Sequence, residues 1–395
     1  MKRSHLRSDL TTQFRNFRRL TCLALLLAAS VFAQATRPAD ETQTETLAPG
    51  IEHRAIRRGD FSTNDNQARQ MIHALIVDPQ RARLTLARAM DEMVGAETTS
   101  SLALRHGALA AINGGYFRTT GTYRGESVGV LVSAGKVLSE PERRRAALAV
   151  AQNDGRIRAA IASVDLKAEL KTAGKSHPVS GFNRPREKNE LIVFTPEFHR
   201  TTLTAPDGIE VIVERGRVIS LHDGRGSVTI PREGLVLSGS GAVREWMLAN
   251  LKRGSRVELS TQLVADPPLP FAADFIIGGG PRLLAAGKAV AEAEAGRYSE
   301  SLFKQRHPRT AFGWRSDGTL VFVTVDGRQP QHSTGMTISE LTELMRELGC
   351  TDAINLDGGG STTMVISNRV VNKPSDATGE RAVSDALLIF PREHR

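Results

Sequence analysis

Residues 320–361 read LVFVTVDGRQPQHSTGMTISELTELMRELGCTDAINLDGGGS, and this stretch decides the predicted fold. Its first six residues, Leu320–Val325, form an apolar run typical of a buried strand. Thr337 followed by Glu340 is a capping-box pattern, which predicts the start of a helix. Apolar residues then recur at the helical period until Gly349, where we expect the helix to end.

A second short strand is predicted at residues 353–356, directly after that helix. Strand, helix and strand in this order predict a β-α-β unit, whose crossover makes the two strands parallel. Asp326 and Asp357 follow the two strands, so both should emerge at the edge of the sheet where α/β proteins bind ligands. We therefore expect an α/β fold (mixed α+β), with a mixed sheet and flanking helices.

The motif at the end of the second strand is the sharpest chemical signal in the chain. Asp357 precedes three glycines, Gly358, Gly359 and Gly360, and then Ser361. Glycines let backbone N–H groups approach a bound group closely and cradle an anion, while the aspartate supplies a carboxylate. A tight turn would need one glycine, so three after an aspartate favour a functional site.

Other candidates are weaker when each is taken alone. Asp326-Gly327-Arg328 is also a common turn sequence, and Arg309 could bind phosphate through its planar guanidinium or lie on the surface. Asn113 and Gly114 could present an amide to a ligand or form a left-handed turn. The second glycine run, with Gly279 and Gly280, lacks the lysine of a nucleotide P-loop. The histidines show no zinc-binding spacing, so no metal ligand is assigned.

The N-terminal segment predicts export. A basic leader is followed by an apolar run at residues 20–33 and by Ala33-Gln34-Ala35, the pattern of a cleaved signal peptide at 1–35. Most of the formal net charge of +9 lies in this leader. No basic run is interleaved with aromatic residues, so a nucleic-acid partner is not expected. We expect a secreted or periplasmic protein without stable membrane insertion after cleavage.

The rest of the chain divides by composition. Residues 36–65 are polar and irregular and are interpreted as a linker. Residues 66–395 form the predicted catalytic domain. Within it, residues 180–265 alternate short β patterns with Gly-rich turns, which predicts a β-rich inserted lobe.

Taken in order, six motifs resemble those of the phosphodiester glycosidase family. They lie between residues 113 and 384: Asn113-Gly114-Gly115-Tyr116-Phe117, Gly278-Gly279-Gly280-Pro281, Pro308-Arg309-Thr310-Ala311, Asp326-Gly327-Arg328, Asn355-Leu356-Asp357-Gly358-Gly359-Gly360-Ser361, and Arg381 ahead of Val383-Ser384. The resemblance implies hydrolysis of a sugar 1-phosphate diester, of the N-acetylglucosamine-1-phosphodiester type, in cell-envelope or extracellular glycans.

The resemblance also implies a set of site residues. Asp326, Asp357 and Arg309 are expected to be catalytic, with the aspartates as the carboxylates that a glycosidase needs. Arg309 and Arg381 are expected to contact the phosphate. The expected substrate-binding residues are Asn113, Gly114, Gly279, Gly280, Arg328, Asn355, Gly358, Gly359, Gly360, Ser361 and Arg381.

Two alternatives stay open on the sequence. One is a metal-assisted phosphodiester hydrolase, in which Asp326 and Asp357 would be metal ligands. The other is a non-catalytic glycan-binding protein of the cell envelope, although only 5% of the residues are aromatic. No organic cofactor is expected, and a divalent cation stays open. The expected partner is a phosphorylated glycan or sugar-phosphate substrate.

Overall fold

The computed structural model describes residues 40–59, 69–142, 144–152 and 155–392. The predicted signal peptide at 1–35 lies outside these residues. The described helices are α1 (Thr99–His106), α2 (Ala242–Asn250), α3 (Glu300–Lys304) and α4 (Ile338–Glu347), with 3-10 turns at Ala89–Asp91, Ala291–Arg297 and Gly359–Ser361. The described strands are β1 (Glu41–Ala48), β2 (Ile51–Arg58), β3 (Gln70–Val77), β4 (Ala82–Arg88), β5 (Ala110–Asn113), β6 (Leu131–Ser133), β7 (Lys136–Ser139), β8 (Ala146–Ala151), β9 (Arg158–Thr172), β10 (Lys175–Pro178), β11 (Gly181–Phe182), β12 (Leu191–Phe194), β13 (Ile209–Glu214), β14 (Arg217–Asp223), β15 (Gly234–Gly239), β16 (Glu258–Asp266), β17 (Phe275–Gly278), β18 (Arg282–Ala285), β19 (Lys288–Ala289), β20 (Arg309–Arg315), β21 (Leu320–Val325), β22 (Cys350–Asn355), β23 (Met364–Ile366), β24 (Arg369–Val370) and β25 (Asp385–Pro391).

Four sheets organise these strands. The largest has the order β1-β2-β3-β21-β20-β22-β18-β19, and a second has the order β10-β9-β8-β17-β6-β7, with β16 also paired to β9. The two others have the orders β11-β12-β15-β13-β14 and β24-β23-β5-β25-β4. Among the described strands, neighbours pair antiparallel except for β11 and β12. The fold is therefore predominantly antiparallel β.

The predicted α/β class, with helices flanking a mixed sheet, is wrong. β21, α4 and β22 follow one another as expected, but β20 lies between the two strands and pairs antiparallel with both. β21 and β22 consequently run in the same direction without pairing. The sequence pattern of a β-α-β unit cannot show that a preceding strand occupies the space between, since that pairing depends on contacts distant in the chain.

Helix α4 is the element that the sequence predicts best. The Thr337 hydroxyl accepts from the Glu340 N–H at 3.2 Å, while the Glu340 carboxylate accepts from the Thr337 N–H at 2.9 Å, which completes the capping box. Its apolar face, with Ile338, Leu341 and Met345, is fully buried against the largest sheet. This packing fixes the length of the connection between β21 and β22.

Residues 41–58, inside the predicted linker 36–65, form the hairpin β1–β2 at the edge of the largest sheet. Only four of the eight β2 residues are buried, and the charged Arg54 and Arg57 interrupt the apolar pattern. That weak pattern explains why the sequence reads as irregular there. Residues 181–239 supply the five-stranded sheet inside the predicted lobe, while β16 joins the second sheet. The domain limits themselves stay a prediction.

Candidate functional site

Three strand ends bring the site together. Arg309 opens β20 opposite Val325, the last residue of β21. On the other side of β20, Ala311 pairs with Asn355, the last residue of β22. β21 and β22 are two strand spacings apart, about 10 Å between axes. Asp326 and Asp357 therefore follow strand ends at the same edge of the sheet, on either side of Arg309.

Asp357 lies in a polar setting enclosed by protein but keeps part of its surface exposed. Its Oδ1 accepts from the Gly358 N–H at 3.0 Å. Burial raises the pKa of Asp357 to about 6, and the nearby Asp385 carboxyl adds to the rise, whereas Ser361, the Gly358 N–H and Arg381 oppose it. A carboxyl poised near pH 6 can change protonation during a reaction at ordinary pH.

The turn after β5 positions the backbone of Asp357. The Asn113 amide donates to the Asp357 carbonyl at 2.6 Å and its Oδ1 accepts from the Thr310 hydroxyl at 2.7 Å. The Asp357 N–H donates to the Gly114 carbonyl at 3.1 Å. Asn113 is fully buried, so its amide joins strand ends together instead of facing solvent.

Asp385, at the start of β25, is a site residue that none of the six motifs contains. Its Oδ1 accepts from the Gly115 N–H at 2.8 Å, and its carbonyl accepts from the Gly114 N–H at 3.1 Å. A side chain at Gly114 would collide with this carboxylate. Burial raises the pKa of Asp385, so Asp357 has a second protonatable group beside it.

Two arginines flank the glycine turn that follows Asp357. Arg328 is exposed, and its guanidinium lies over Gly359, where an added Cβ would lie 3.1 Å from Arg328 Nη2. Arg381 holds the Asp376 carboxylate through Nε at 2.7 Å and Nη2 at 3.0 Å, and a side chain at Gly360 would collide with this pair. Among the described residues, Arg328 has no carboxylate partner, so its charge is available to an anion.

Ser361 closes the turn beneath Asp357. Its hydroxyl is fully buried and has no hydrogen-bond partner of good geometry among the described residues. It nevertheless lies near enough to the Asp357 carboxyl to lower that pKa. Ser361 therefore belongs to the immediate environment of the carboxylate.

The Asp326 carboxylate is directed to protein partners. It is 1% exposed and accepts from His332 Nε2 at 2.7 Å, from Asn372 Nδ2 at 3.0 Å and from the Lys373 N–H at 3.0 Å. Asn372 also donates to the carbonyl of Thr362, close to the end of the glycine turn. Asp326 thus holds the segment around residue 372 beside the site. Its other partner, His332, is partly exposed to solvent.

Arg309 is also directed inward. Its Nε donates to the Met336 carbonyl at 2.7 Å, and its Nη2 donates to the carbonyls of Leu302 and Gln305 at 2.6 and 3.1 Å. Burial lowers the pKa of Arg309 to about 10, while the neighbouring Tyr116 raises it. In this structure the side chain therefore joins β20 to the segment that precedes it and to the loop before α4.

The second glycine run forms a wall beside the same strand end. The Asn355 amide donates to the Gly280 carbonyl at 3.0 Å and to the Tyr116 hydroxyl at 2.9 Å, and that hydroxyl donates to the same carbonyl at 2.8 Å. The Tyr298 hydroxyl donates to the Gly279 carbonyl at 3.3 Å. Burial and Asp357 both raise the pKa of Tyr116, which places this phenol next to the carboxylate.

The site residues predicted from sequence thus divide into three groups, one of which is the wall of Gly279, Gly280 and Asn355. Asp357, the glycine turn, Ser361, Arg328 and Arg381 come together around one partly open carboxylate, with Asn113 and Gly114 beneath it. Asp326 and Arg309 start at the same sheet edge, but their charged groups contact other parts of the protein. Within the described ranges, no three His, Cys, Asp or Glu side chains are grouped as a metal site would require. No helix of the described residues has the length and apolarity to cross a membrane.

Comparison with known proteins identifies relatives of this chain. A family model described as phosphodiester glycosidase matches residues 207–390. The N-acetylglucosamine-1-phosphodiester alpha-N-acetylglucosaminidase of Mus musculus is 28% identical over 175 residues, or 42% of this chain and 33% of the mouse protein. An uncharacterized SPbeta prophage-derived protein of Bacillus subtilis is 48% identical over 84 residues, or 21% of this chain and 13% of that protein.

The chain therefore spans a third or less of the length of these two curated relatives. A crystal structure of a candidate exported protein from Burkholderia pseudomallei superposes with a TM-score of 0.78 at 25% identity, covering 89% of this chain and 97% of that one. That match extends the shared fold well beyond the segment matched by the family model. Residues 207–390, which contain Asp357 and its glycine turn, are therefore similar to the phosphodiester glycosidase family.

Proposed function

We propose that this chain is a glycosidase that hydrolyses a sugar 1-phosphate diester, with Asp357 as the reacting carboxylate. The observation that carries the proposal is the position of Asp357, partly exposed and with a pKa raised to about 6, directly before a glycine turn that contacts the guanidinium groups of Arg328 and Arg381. The family and the mouse relative's name support a substrate of the N-acetylglucosamine-1-phosphodiester type.

The proposed reaction breaks the bond between the anomeric carbon and the phosphate oxygen. The bonding electron pair leaves with the phosphate, so negative charge grows on the phosphate while positive charge grows at the sugar carbon. Ionised Asp357 stabilises the sugar carbon or activates water, and water supplies the new oxygen on that carbon. The phosphate is a good leaving group, so stabilising its charge matters more than protonating it.

Arg328 and Arg381 are the groups we assign to the phosphate. Arg328 is exposed beside Gly359, and Arg381 is held in place by two hydrogen bonds to Asp376. A preorganised cation beside the leaving group stabilises charge without rearrangement during the reaction. Asp326, Asn113 and Arg309 are assigned positioning roles, since their polar groups contact protein.

We predict that Asp357→Asn loses activity with its fold intact. The substitution keeps shape and removes the charge, so kcat on an N-acetylglucosamine 1-phosphate methyl diester should fall by about 10²–10⁴-fold. Release of free sugar and a melting curve are the measurements. Asp317→Asn, at an exposed turn, is the matched control and should keep full activity. If the Asp357→Asn variant had the same kcat as the wild type, the assignment of Asp357 would be contradicted.

We also propose that the protein is exported. The basic leader, the apolar run at 20–33 and Ala33-Gln34-Ala35 support this, as does the likeness to a candidate exported protein. The expected mature N-terminus is near Thr36. Intact-mass measurement on protein from the cell envelope or medium tests this, and retention of residues 1–35 there would contradict it.

A further inference from the structure

A cavity of about 440 Å³ lies between the five-stranded sheet of the lobe and the turns around β6 and β7. One wall comes from residues 118–142 and the other from lobe residues 184–190, and we call it the lobe cavity. Its volume falls within the range of sites that bind small molecules. None of its walls includes Asp357 or the glycine turn, so it is distinct from the reacting centre.

Fixed ion pairs hold the two walls together. Arg184 donates to Glu190 through Nη1 at 2.7 Å and through Nη2 at 2.8 Å, and its Nε donates to Glu140 of the opposite wall. The second Glu140 oxygen accepts from the Phe182 N–H at 2.9 Å. A planar guanidinium held by two carboxylates is a rigid arrangement, so the cavity is formed before any ligand enters.

The Glu126 carboxylate lines this cavity, and only one of its two oxygens accepts a hydrogen bond from a described residue. Glu126 is 4% exposed and lines the wall, and its Oε2 accepts from Arg118 Nε at 2.9 Å. Burial raises the pKa of Glu126, with Arg118 opposing the rise. Within the part of the chain that the structure describes, Oε1 has no hydrogen-bond partner. This oxygen is therefore free to accept a hydrogen bond from a ligand hydroxyl in the cavity.

The lobe cavity lies near the reacting centre. The Gly114 carbonyl accepts from the Asp357 N–H, and Arg118 in the cavity wall follows four residues later, at most about 14 Å along an extended chain. The Val128 N–H in the cavity wall donates to the Tyr116 carbonyl at 2.8 Å. A small adjoining pocket shares Val128 and Gly129 with the cavity and reaches Gly278 and Gly279.

We propose that the lobe cavity is a subsite for a neutral saccharide unit of the substrate, on the side of the diester that leaves with the phosphate. The inference rests on the proposed function. Paired arginine and glutamate groups offer donors and acceptors side by side, which suits sugar hydroxyls because each hydroxyl both donates and accepts. Glutamates outnumber arginines in the walls, five to two, which disfavours a second phosphate. The phosphate stays at Arg328 and Arg381, and the saccharide occupies the cavity.

The test compares two kinds of diester of N-acetylglucosamine 1-phosphate. One kind carries methanol as the alcohol, and the other carries a trisaccharide of glucose, mannose or N-acetylglucosamine. For the wild type, at least one trisaccharide diester should exceed the methyl diester in kcat/KM by roughly tenfold, the effect of one hydrogen bond to a charged group. Glu126→Gln keeps volume and removes charge, so this ratio should fall towards one.

Two further variants complete the design. Arg118→Gln removes the partner of Glu126 from a half-exposed position, so it reports on the subsite if Glu126→Gln folds poorly. Glu214→Gln, at an exposed end of β13 in the same lobe, is the control and should keep the wild-type ratio. The inference is overturned if no trisaccharide diester exceeds the methyl diester in kcat/KM. It is also overturned if Glu126→Gln and Arg118→Gln both keep the wild-type preference for the trisaccharide diester. Failure of the proposed function differs, because then the wild type hydrolyses neither kind of diester.

Discussion

Asp357 and Asp385 form the pair of carboxyl groups closest to the proposed chemistry. The Gly114-Gly115 turn separates them, with Asp357 bonded to one side and Asp385 to the other. Each carboxyl is enclosed by protein, and burial raises the pKa of both. For Asp357, burial is the largest cause of the rise, and the charge of Asp385 adds to it.

The pH dependence of the reaction should report this pair. A raised pKa means that folded Asp357 holds its proton up to about pH 6, so the carboxylate form appears only above that pH. We therefore predict that kcat/KM rises with pH through about 6 and then levels off. Asp385→Asn removes the neighbouring charge that raises this pKa, so its rising limb should move to lower pH.

Initial rates between pH 4 and 9 measure both curves, with Asp317→Asn as a control whose limb should match the wild type. A limb that falls through pH 6 would assign Asp357 the role of an acid. A limb in Asp385→Asn that stays at or above the wild-type position would remove Asp385 from the environment of Asp357.

At the residue scale, motif chemistry singles out Asp357 and its glycines, whereas Arg328 and Arg381 enter as site residues through the family resemblance. It misses Asp385 because this residue precedes a wholly apolar run, Ala386–Ile389, and reads as the first residue of a strand. A carboxylate directly before such a run was the available signal, since a buried charge needs polar partners. Those partners, Gly114 and Gly115, are more than 250 residues earlier and cannot be inferred from local pattern.

The glycine turn is the element whose geometry matters most. Gly360 is buried against Arg381 and Asp376, and an added Cβ would have to displace them. The reason for glycine here is therefore close approach to a charged pair, as expected when backbone must lie beside a ligand or guanidinium.

We predict that Gly360→Ala lowers kcat/KM by roughly tenfold or more, because a small displacement of a positioning cation costs catalysis heavily. Gly296→Ala is the matched control. Gly296, like Gly360, lies in a 3-10 turn, but nothing lies within 4 Å of its added Cβ. Kinetics and melting curves for both variants are the measurements. Equal effects of the two substitutions would show that the crowding at Gly360 has no role.

At the element scale, local rules work where the signals are local. The capping box, the helical period and Gly349 correctly predict α4, and the apolar run at Leu320–Val325 correctly predicts β21. The hairpin β1–β2 is missed because half of its second strand is exposed or charged. Its stability comes from pairing with β3, which is a tertiary contact.

For the whole molecule, the expected α/β class fails for one physical reason. A helix between two strands of the same direction predicts a parallel pair, yet β20 enters between them and makes every contact antiparallel. The edge position of the site survives this error, because β21 and β22 still end at the same side of the sheet. Strand direction was predictable from connectivity, whereas strand order was not.

Cleavage of the bond at the sugar carbon is the central claim. Hydrolysis of an N-acetylglucosamine 1-phosphate methyl diester in water enriched in ¹⁸O tests it most directly, by mass spectrometry of the methyl phosphate product. Phosphate oxygens do not exchange with solvent on the time scale of the assay, unlike the hydroxyl at the sugar carbon. We predict unlabelled methyl phosphate and a labelled sugar at early times. Incorporation of ¹⁸O into the phosphate product would show cleavage at phosphorus and contradict the claim.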